Sequence, residues 1–263
     1  MKILLGPAGS PEKTTIDGLK TLHDLDLQAM EVAFTRGVKM GNETARQIRK
    51  ENEKYNISLS IHAPYYINLN SLEKQKVKDS KKRILDTCER AHHMGAKRIV
   101  IHAGYYHENR KKAYDNIRRE IEELLEEVKR NQWDVEVLPE TAGRASQFGD
   151  LDEIIQMNKD TKCGICVDPA HIFARNQGKI NFEEIFDKLG KIKQKEYHFH
   201  FSGIAFGPSG ERNHLTLGEG GPDFKSFAEE LINRKKDVTV ISESPITWKD
   251  SLVMKKILEK MKK

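Results

Sequence analysis

Short apolar runs and longer charge-rich segments alternate eight times along this chain, and that alternation leaves few folds open to it. The runs are Ile3–Leu5, Ala29–Phe34, Leu59–His62, Ile99–His102, Val135–Glu140, Ile165–Asp168, Tyr197–His200 and Val238–Glu243. Their length and β-branched content predict strands. Between them Thr14–Leu27, Thr44–Tyr55, Leu72–Met94, Ala113–Arg130, Leu151–Asn158, Phe182–Leu189, Phe224–Arg234 and Ser251–Lys262 predict helices. In the fourth of these, Ile117, Ile121, Leu124, Leu125 and Val128 recur at helical spacing. A helix between successive strands makes the strands parallel. Eight such units favour a closed (β/α)8 TIM barrel, an α/β fold, over an open doubly wound sheet. No linker breaks the spacing, so a single barrel domain over residues 1–263 is expected.

Six of the eight runs end in a good metal donor: His62, His102, Glu140, Asp168, His200 and Glu243. In a parallel barrel all strands finish at one face, where loops from separate units meet. The endings would then gather three imidazoles and three carboxylates, a donor set suited to divalent metal. One such histidine would be ordinary structure. Several carboxylates buried together without a cation would be costly, and this turns the balance toward a metal site. Asp168-Pro-Ala-His171 adds an imidazole just past the sixth run, and His214 lies in the long connection after the seventh. His198 and His200 share one side of their strand. The one nearer the mouth, His200, is the candidate ligand, and His198 is filler or support beneath it. His23, His92 and His93 fall inside helices and read as structural, while His107 follows Gly104-Tyr-Tyr106 in a loop and is left open.

The bulk properties exclude more than they assign. Lys plus Arg number 45 against 40 Asp plus Glu, a net charge of +5 that does not by itself mark a nucleic-acid binder. Lys255, Lys256, Lys260, Lys262 and Lys263 suit the end of a helix, whose dipole they complement. Cys88, Cys163 and Cys166 form no pairing framework, so a reducing, cytoplasmic setting is expected, and the lone Cys163-Gly-Ile-Cys166 reads as packing. The start, Met1–Gly6, is too short for a signal peptide, and no later stretch is long enough to span a membrane. Neither G-x-G-x-x-G after the first run nor a phosphate-loop motif occurs.

The segments His62-Ala-Pro-Tyr-Tyr-Ile-Asn-Leu69, His102-Ala-Gly104, Glu140-Thr-Ala-Gly143, Asp168-Pro-Ala-His171, His200-Phe-Ser-Gly203, His214-Leu-Thr-Leu-Gly-Glu-Gly220 and Glu243-Ser-Pro245 resemble, in order, the metal-binding motifs of endonuclease IV. That family is the zinc-dependent abasic-site nuclease of the xylose-isomerase-like barrels, and the departures below point to a divergent, archaeal-type branch. The resemblance implies zinc, two or three ions, with manganese as an alternative. His62 and His102 would hold one ion. Glu140 would bridge it to a second, completed by Asp168, His200 and Glu243, and His171 and His214 would hold the third. Glu140, Glu243 and His102 are the candidate catalytic positions. The family places an aspartate two residues before the equivalent of His214, but here that position is Arg212 and the acid is Glu211, one step earlier. Either Glu211 serves, or the third ion is weak or absent. One residue is also missing between Glu140 and its Thr-Ala-Gly.

The same resemblance implies duplex DNA with abasic sites as the partner and a monomeric protein. Tyr65 and Tyr66 match the pair that enters the gap left by a flipped nucleotide, and Lys39, with Arg36 nearby, matches a basic position on the DNA-facing loops. Arg144 and Arg175 lie in mouth loops and are candidate phosphate contacts. The expected reaction is hydrolysis of the phosphodiester 5′ to an abasic sugar. Two other readings stay open. One is a metal-dependent sugar isomerase or epimerase on the same barrel, needing only Glu140, Asp168, His200 and Glu243. The other is an abasic-DNA-binding protein with weak or no turnover.

Overall fold

Pleated strands send alternate side chains to opposite faces, and that rule organises the computed structural model, which describes residues 1–261. Eight parallel strands form the barrel: β1 (Ile3–Pro7), β2 (Ala29–Ala33), β3 (Ser58–His62), β4 (Arg98–Ile101), β5 (Glu136–Pro139), β6 (Cys166–Val167), β7 (Glu196–Phe201) and, after a hairpin of β8 (Gly203–Gly207) and β9 (Gly210–Leu215), β10 (Asp237–Ser242). Strands β2-β3-β4-β5 pair in sequence order, as do β6-β7-β10-β1. The two sheets meet at two seams. At one, Gln28 N donates to Leu5 O and Gly9 N to Glu31 O; at the other, Gly164 N donates to Val137 O and Thr141 N to Cys166 O. The first seam is so close that a Cβ on Gly6 would lie 1.7 Å from Ala29 O, so only glycine fits there.

The outward faces of the strands carry the apolar load. Met30, Leu59, Ile61, Ile99, Ile101, Phe199, Phe201 and Val240 join one cluster with Ile84, Ile117, Ile121 and Phe227 of the helices. Each fully buried aliphatic or aromatic side chain there contributes about 1.5–3 kcal/mol by leaving water. The helices are α1 (Thr15–Asp24), α2 (Asn42–Asn52), α3 (Lys74–Met94), α4 (Arg110–Arg130), α5 (Leu151–Thr161), α6 (Pro169–Arg175), α7 (Phe182–Leu189), α8 (Phe224–Arg234) and α9 (Trp248–Met261). Local signals set their ends: Thr14 caps α1, Asp150 and Glu153 form a capping box on α5, and Gly95 closes α3 in the left-handed region.

Two elements depart from the expected loops. His171 lies in the first turn of α6, whose start is fixed by Asp168 as cap and Pro169 at the first helical position. His214 lies in β9, because Gly207-Pro-Ser-Gly210 turns the connection into an antiparallel hairpin. Both insertions sit at the barrel mouth. The three cysteines are free and buried, as packing requires. Lys255 pairs with Asp26 at 2.6 Å, Lys256 and Lys260 lie on α9, and Lys262 and Lys263 lie outside the described residues. No helix among the described residues is long and apolar enough to cross a membrane.

Candidate metal centre and active site

The six strand-end donors each stand two residues beyond an inward-facing neighbour: Ser60 before His62, Val100 before His102, Leu138 before Glu140, Cys166 before Asp168, His198 before His200, and Ile241 before Glu243. The dyad repeat of the strands therefore aims all six into the mouth. A cavity of about 580 Å³ opens there, lined by His62, His102, His171, Glu211, His214 and Glu243, with Tyr65, Tyr105 and Arg144 at its rim.

Glu140 is the hub. Its Oε2 lies 3.3 Å from Nε2 of both His62 and His102, while Oε1 lies 2.9 Å from His200 Nδ1 and 3.3 Å from His171 Nδ1. One carboxylate thus faces two groups of imidazoles, and the shortened Glu140-Thr-Ala-Gly143 segment does not pull it away. His62, His102 and Glu140 bring donor atoms within 4.8 Å of one another; so do Glu140, Asp168, His200 and Glu243, and so do Asp168, His171, His214 and Glu243.

Most of these histidines have their second ring nitrogen occupied elsewhere. His62 Nδ1 is 2.9 Å from Ala63 O, His171 Nδ1 is 2.9 Å from Thr141 O, and His214 Nδ1 is 2.7 Å from Ser202 Oγ. Donation from Nδ1 to those carbonyls leaves Nε2 of His62 and His171 as the free lone pair, the arrangement that orients metal-binding imidazoles. Asp168 is divided in the same way. Its Oδ1 caps α6 by accepting from Ala170 N and His171 N, and its buried Oδ2 has no hydrogen-bond partner. An orphaned carboxylate oxygen among nitrogen donors is what a divalent cation would satisfy, so the residues fit a metal cluster.

Charge points the same way. Burial would lower His62, but the hydrogen bond and charge of Glu140 raise it to about 9. His171 and His200 are likewise buried, yet Asp168 and Glu140 raise the first, and Cys166 with the carboxylates of Glu31, Glu243 and Glu140 raises the second, well above the ordinary imidazole range. His102 goes the other way, pushed down to about 4 by burial against the pull of Glu140. Loss of water contact would raise the partly exposed Glu243, but His200 and His214 hold it down to about 2, whereas burial raises Asp168. Without cations, protons on imidazoles balance the clustered carboxylates, a role metal would take over.

The β8/β9 ladder resolves the place of Arg212. Ala205 pairs with Asn213 and Phe206 with Glu211, so Arg212 is the extra residue of a bulge. The bulge puts Glu211 and His214 on the same face despite their odd spacing. Glu211 Oε2 lies 3.5 Å from His171 Nε2, while Arg212 is exposed and lies back over Gly207. Gly143 makes the room: a Cβ there would stand 2.6 Å from Glu211 Cβ and 2.7 Å from its Oε2.

The other candidates divide. Tyr65 and Tyr66 project into solvent, 66% and 65% exposed, while Arg36, Lys39 and Arg144 are exposed on loops at the mouth. Arg175 must be corrected. Its guanidinium donates to the carbonyls of Ala142, Arg144 and Gln147 and to the Tyr106 hydroxyl, and only 8% of the side chain is exposed, so it braces the loop instead of meeting a phosphate. One residue escaped the sequence reading altogether. Glu31, fully buried in β2, touches Ser60, His198 and His200. Its signal was an acid alone inside the apolar run Ala29–Phe34.

Comparison with known proteins places this architecture. Residues 19–263 match the model of the xylose isomerase-like TIM barrel family. An uncharacterized protein of Methanocaldococcus jannaschii is 36% identical over 97% of this chain and 96% of its own. A probable endonuclease 4 of Sulfurihydrogenibium sp. is 32% identical over 70% of each. Among solved structures, a D-tagatose 3-epimerase-like protein superposes with a TM-score of 0.77 at 20% identity, covering 99% of this chain and 96% of the other. Endonuclease IV from Thermus thermophilus superposes with a TM-score of 0.73 at 16% identity, covering 99% and 98%. At these identities the superpositions speak for the fold alone. On the match of the family model and of the relatives above 30% identity, the chain belongs to the xylose isomerase-like TIM barrel family and, within it, to the relatives of endonuclease IV.

Proposed function

We propose that this protein is a metal-dependent phosphodiesterase that cuts duplex DNA on the 5′ side of an abasic sugar, leaving a 3′-hydroxyl and a 5′-deoxyribose phosphate. One observation carries the reading: nine donors, His62, His102, Glu140, Asp168, His171, His200, Glu211, His214 and Glu243, gather at one cavity. That is more than a single-ion site uses.

Zinc held by these residues supplies Lewis acidity, water acidified toward neutrality and positive charge for the phosphate oxygens. His62 and His102 with Glu140 would form one ligand set, Glu140, Asp168, His200 and Glu243 a second, and His171 and His214, with Glu211 3.5 Å from His171, would form a third. His102 and Glu243, 28% and 16% exposed at their side chains, are ligands on the open side where a phosphate arrives. Glu243 stays ionised and so accepts hydrogen bonds there without donating. Tyr65 and Tyr66, both exposed, would fill the gap in the base stack, a gap that costs least to open where a base is already missing. Arg36, Lys39 and Arg144 would hold flanking phosphates.

A sugar isomerase or epimerase is the alternative, favoured by the self-sufficient group Glu140, Asp168, His200 and Glu243. It gives His62, His102 and His171 no work. The test is incubation with a duplex carrying one tetrahydrofuran abasic analogue, with zinc or manganese, before and after chelation. Chelator-sensitive incision 5′ to the analogue supports the nuclease. No incision with any metal sinks it, tight binding without cleavage would mark a damage binder, and epimerisation of a ketohexose by the same preparation would favour the alternative.

A further inference from the structure

The barrel floor below the ligands holds a second polar layer that the ligand sets do not use. Glu31 extends from β2 across the barrel to β7, and its side chain is fully buried. A carboxylate there needs partners to stay ionised. Oε2 accepts from Ser60 Oγ at 2.8 Å and stands 3.0 Å from His198 Nε2. Oε1 stands 2.9 Å from Nε2 of His200 as a charge contact outside hydrogen-bond alignment, and neither of these two atoms has a hydrogen-bond partner. The opposite nitrogen of the same ring, His200 Nδ1, lies 2.9 Å from Glu140 Oε1 and 3.4 Å from Glu243 Oε1.

The geometry points to Glu31 as a positioning residue whose carboxylate, 2.9 Å from Nε2 of His200, favours the proton on that nitrogen, since two lone pairs that close would repel, and leaves Nδ1 as the lone pair aimed at the ion that Glu140, Asp168, His200 and Glu243 would share. This inference rests on that group being a metal site. The physical reason is tautomer control: an imidazole can bind metal through Nδ1 only if the proton sits on Nε2, and a carboxylate at Nε2 both holds it there and makes the ring a stronger donor. His198 and Ser60 hold Glu31 in turn. A neutral acceptor could fix the tautomer but not add the charge, and an apolar residue could do neither. Glutamine and leucine therefore separate the two contributions.

Cobalt(II) titration of the metal-free protein, followed by visible absorption, reads this out independently of turnover. Removing such a support lowers metal affinity roughly 10–100-fold. Glu31→Gln should fall near the lower figure and Glu31→Leu near the upper, both with altered d–d bands. Equal affinity and unchanged bands in both variants would overturn the proposal, even if their thermal midpoints fell, because a purely structural role moves the midpoint alone. Circular dichroism of Glu31→Gln guards against misfolding. Wild-type protein that takes up no cobalt would instead overturn the metal reading on which the proposal stands.

Discussion

Replacing Glu211 by Gln tests the bulge directly, because the ladder makes Glu211, and not the residue two before His214, the acid beside His171. Zinc bound by four ligands at about 10–16 kcal/mol averages roughly 2.5–4 kcal/mol per ligand. Water can replace part of that loss, so removing one carboxylate should weaken the ion at His171 and His214 by on the order of a hundredfold, about 2.7 kcal/mol. The 3.5 Å approach of Glu211 to His171 and its modest exposure place it within this range. Arg212→Ala, on the exposed face, should change affinity by no more than about twofold, since surface substitutions stay within about 0.5 kcal/mol. Gly143→Ala should behave like Glu211→Gln, because the new methyl would occupy space 2.7 Å from the carboxylate oxygen. The assay is zinc per chain by mass spectrometry after dialysis against graded chelator. Glu211→Gln should lose one ion at chelator levels the wild type withstands. Loss of that ion from Arg212→Ala with retention in Glu211→Gln would refute the assignment.

Four further outcomes follow from side-chain placement. Tyr65→Ala and Tyr66→Ala should leave the thermal midpoint unchanged, as both rings are mostly exposed, yet weaken binding to abasic duplex roughly 5- to 150-fold if each stacks on a base at about 1–3 kcal/mol; fluorescence anisotropy with intact and abasic duplexes distinguishes the cases. Arg144→Ala should lower the slope of log affinity against log salt by about 1, the value of one phosphate contact. Arg175→Ala should leave that slope alone and lower the midpoint by about 6–12 °C, from roughly 3 kcal/mol of lost charge-assisted hydrogen bonds at about 2–4 °C per kcal/mol. Glu196 is half-buried at the closed end of the barrel, and burial alone would raise its carboxyl. Thr239 and Arg98 outweigh that and hold it below its ordinary 4.5. A depressed folded pKa contributes stability above 4.5 that is lost as pH falls through the folded value. Urea midpoints of Glu196→Gln and wild type should therefore differ at about pH 7 and converge as the pH drops below 4.5; a constant difference would contradict this.

What the sequence made legible was whatever depends on short-range periodicity. The dyad alternation that sends Ile61 outward sends Ser60 and His62 inward, and eight repetitions of it set both the barrel and the face on which the donors finish. What depended on long-range contact stayed hidden. Glu31 meets His198 across 167 positions, and nothing near Ala29–Phe34 indicates which strand will lie opposite it. Arg175 looked like a mouth cation because its neighbours are mouth residues. Its true partners are carbonyls of the loop after β5, 28 to 33 positions away, and carbonyls leave no trace in a sequence. The short helix α6 was half legible: Asp168-Pro169 is a helix-start pattern, but seven residues carry too little periodicity to show beyond it.

The hairpin marks the sharper limit. Matching motifs position by position equates residues at the same offset from His214, and on that rule Arg212 occupies an acid's place and the third ion loses a ligand. A strand does not conserve offsets, however; it conserves faces. One extra residue in an antiparallel ladder is absorbed as a bulge that restores the alternation beyond it, so the acid three residues before His214 can occupy the face that an unbulged strand would give to the acid two before. The longer side chain of glutamate then needs space that Gly143, in the loop after β5, provides. The shift to Glu211, the bulge at Arg212 and the glycine at 143 are thus a single structural solution. Neither Glu211 nor Arg212 should be freely exchangeable for its endonuclease IV counterpart without the other.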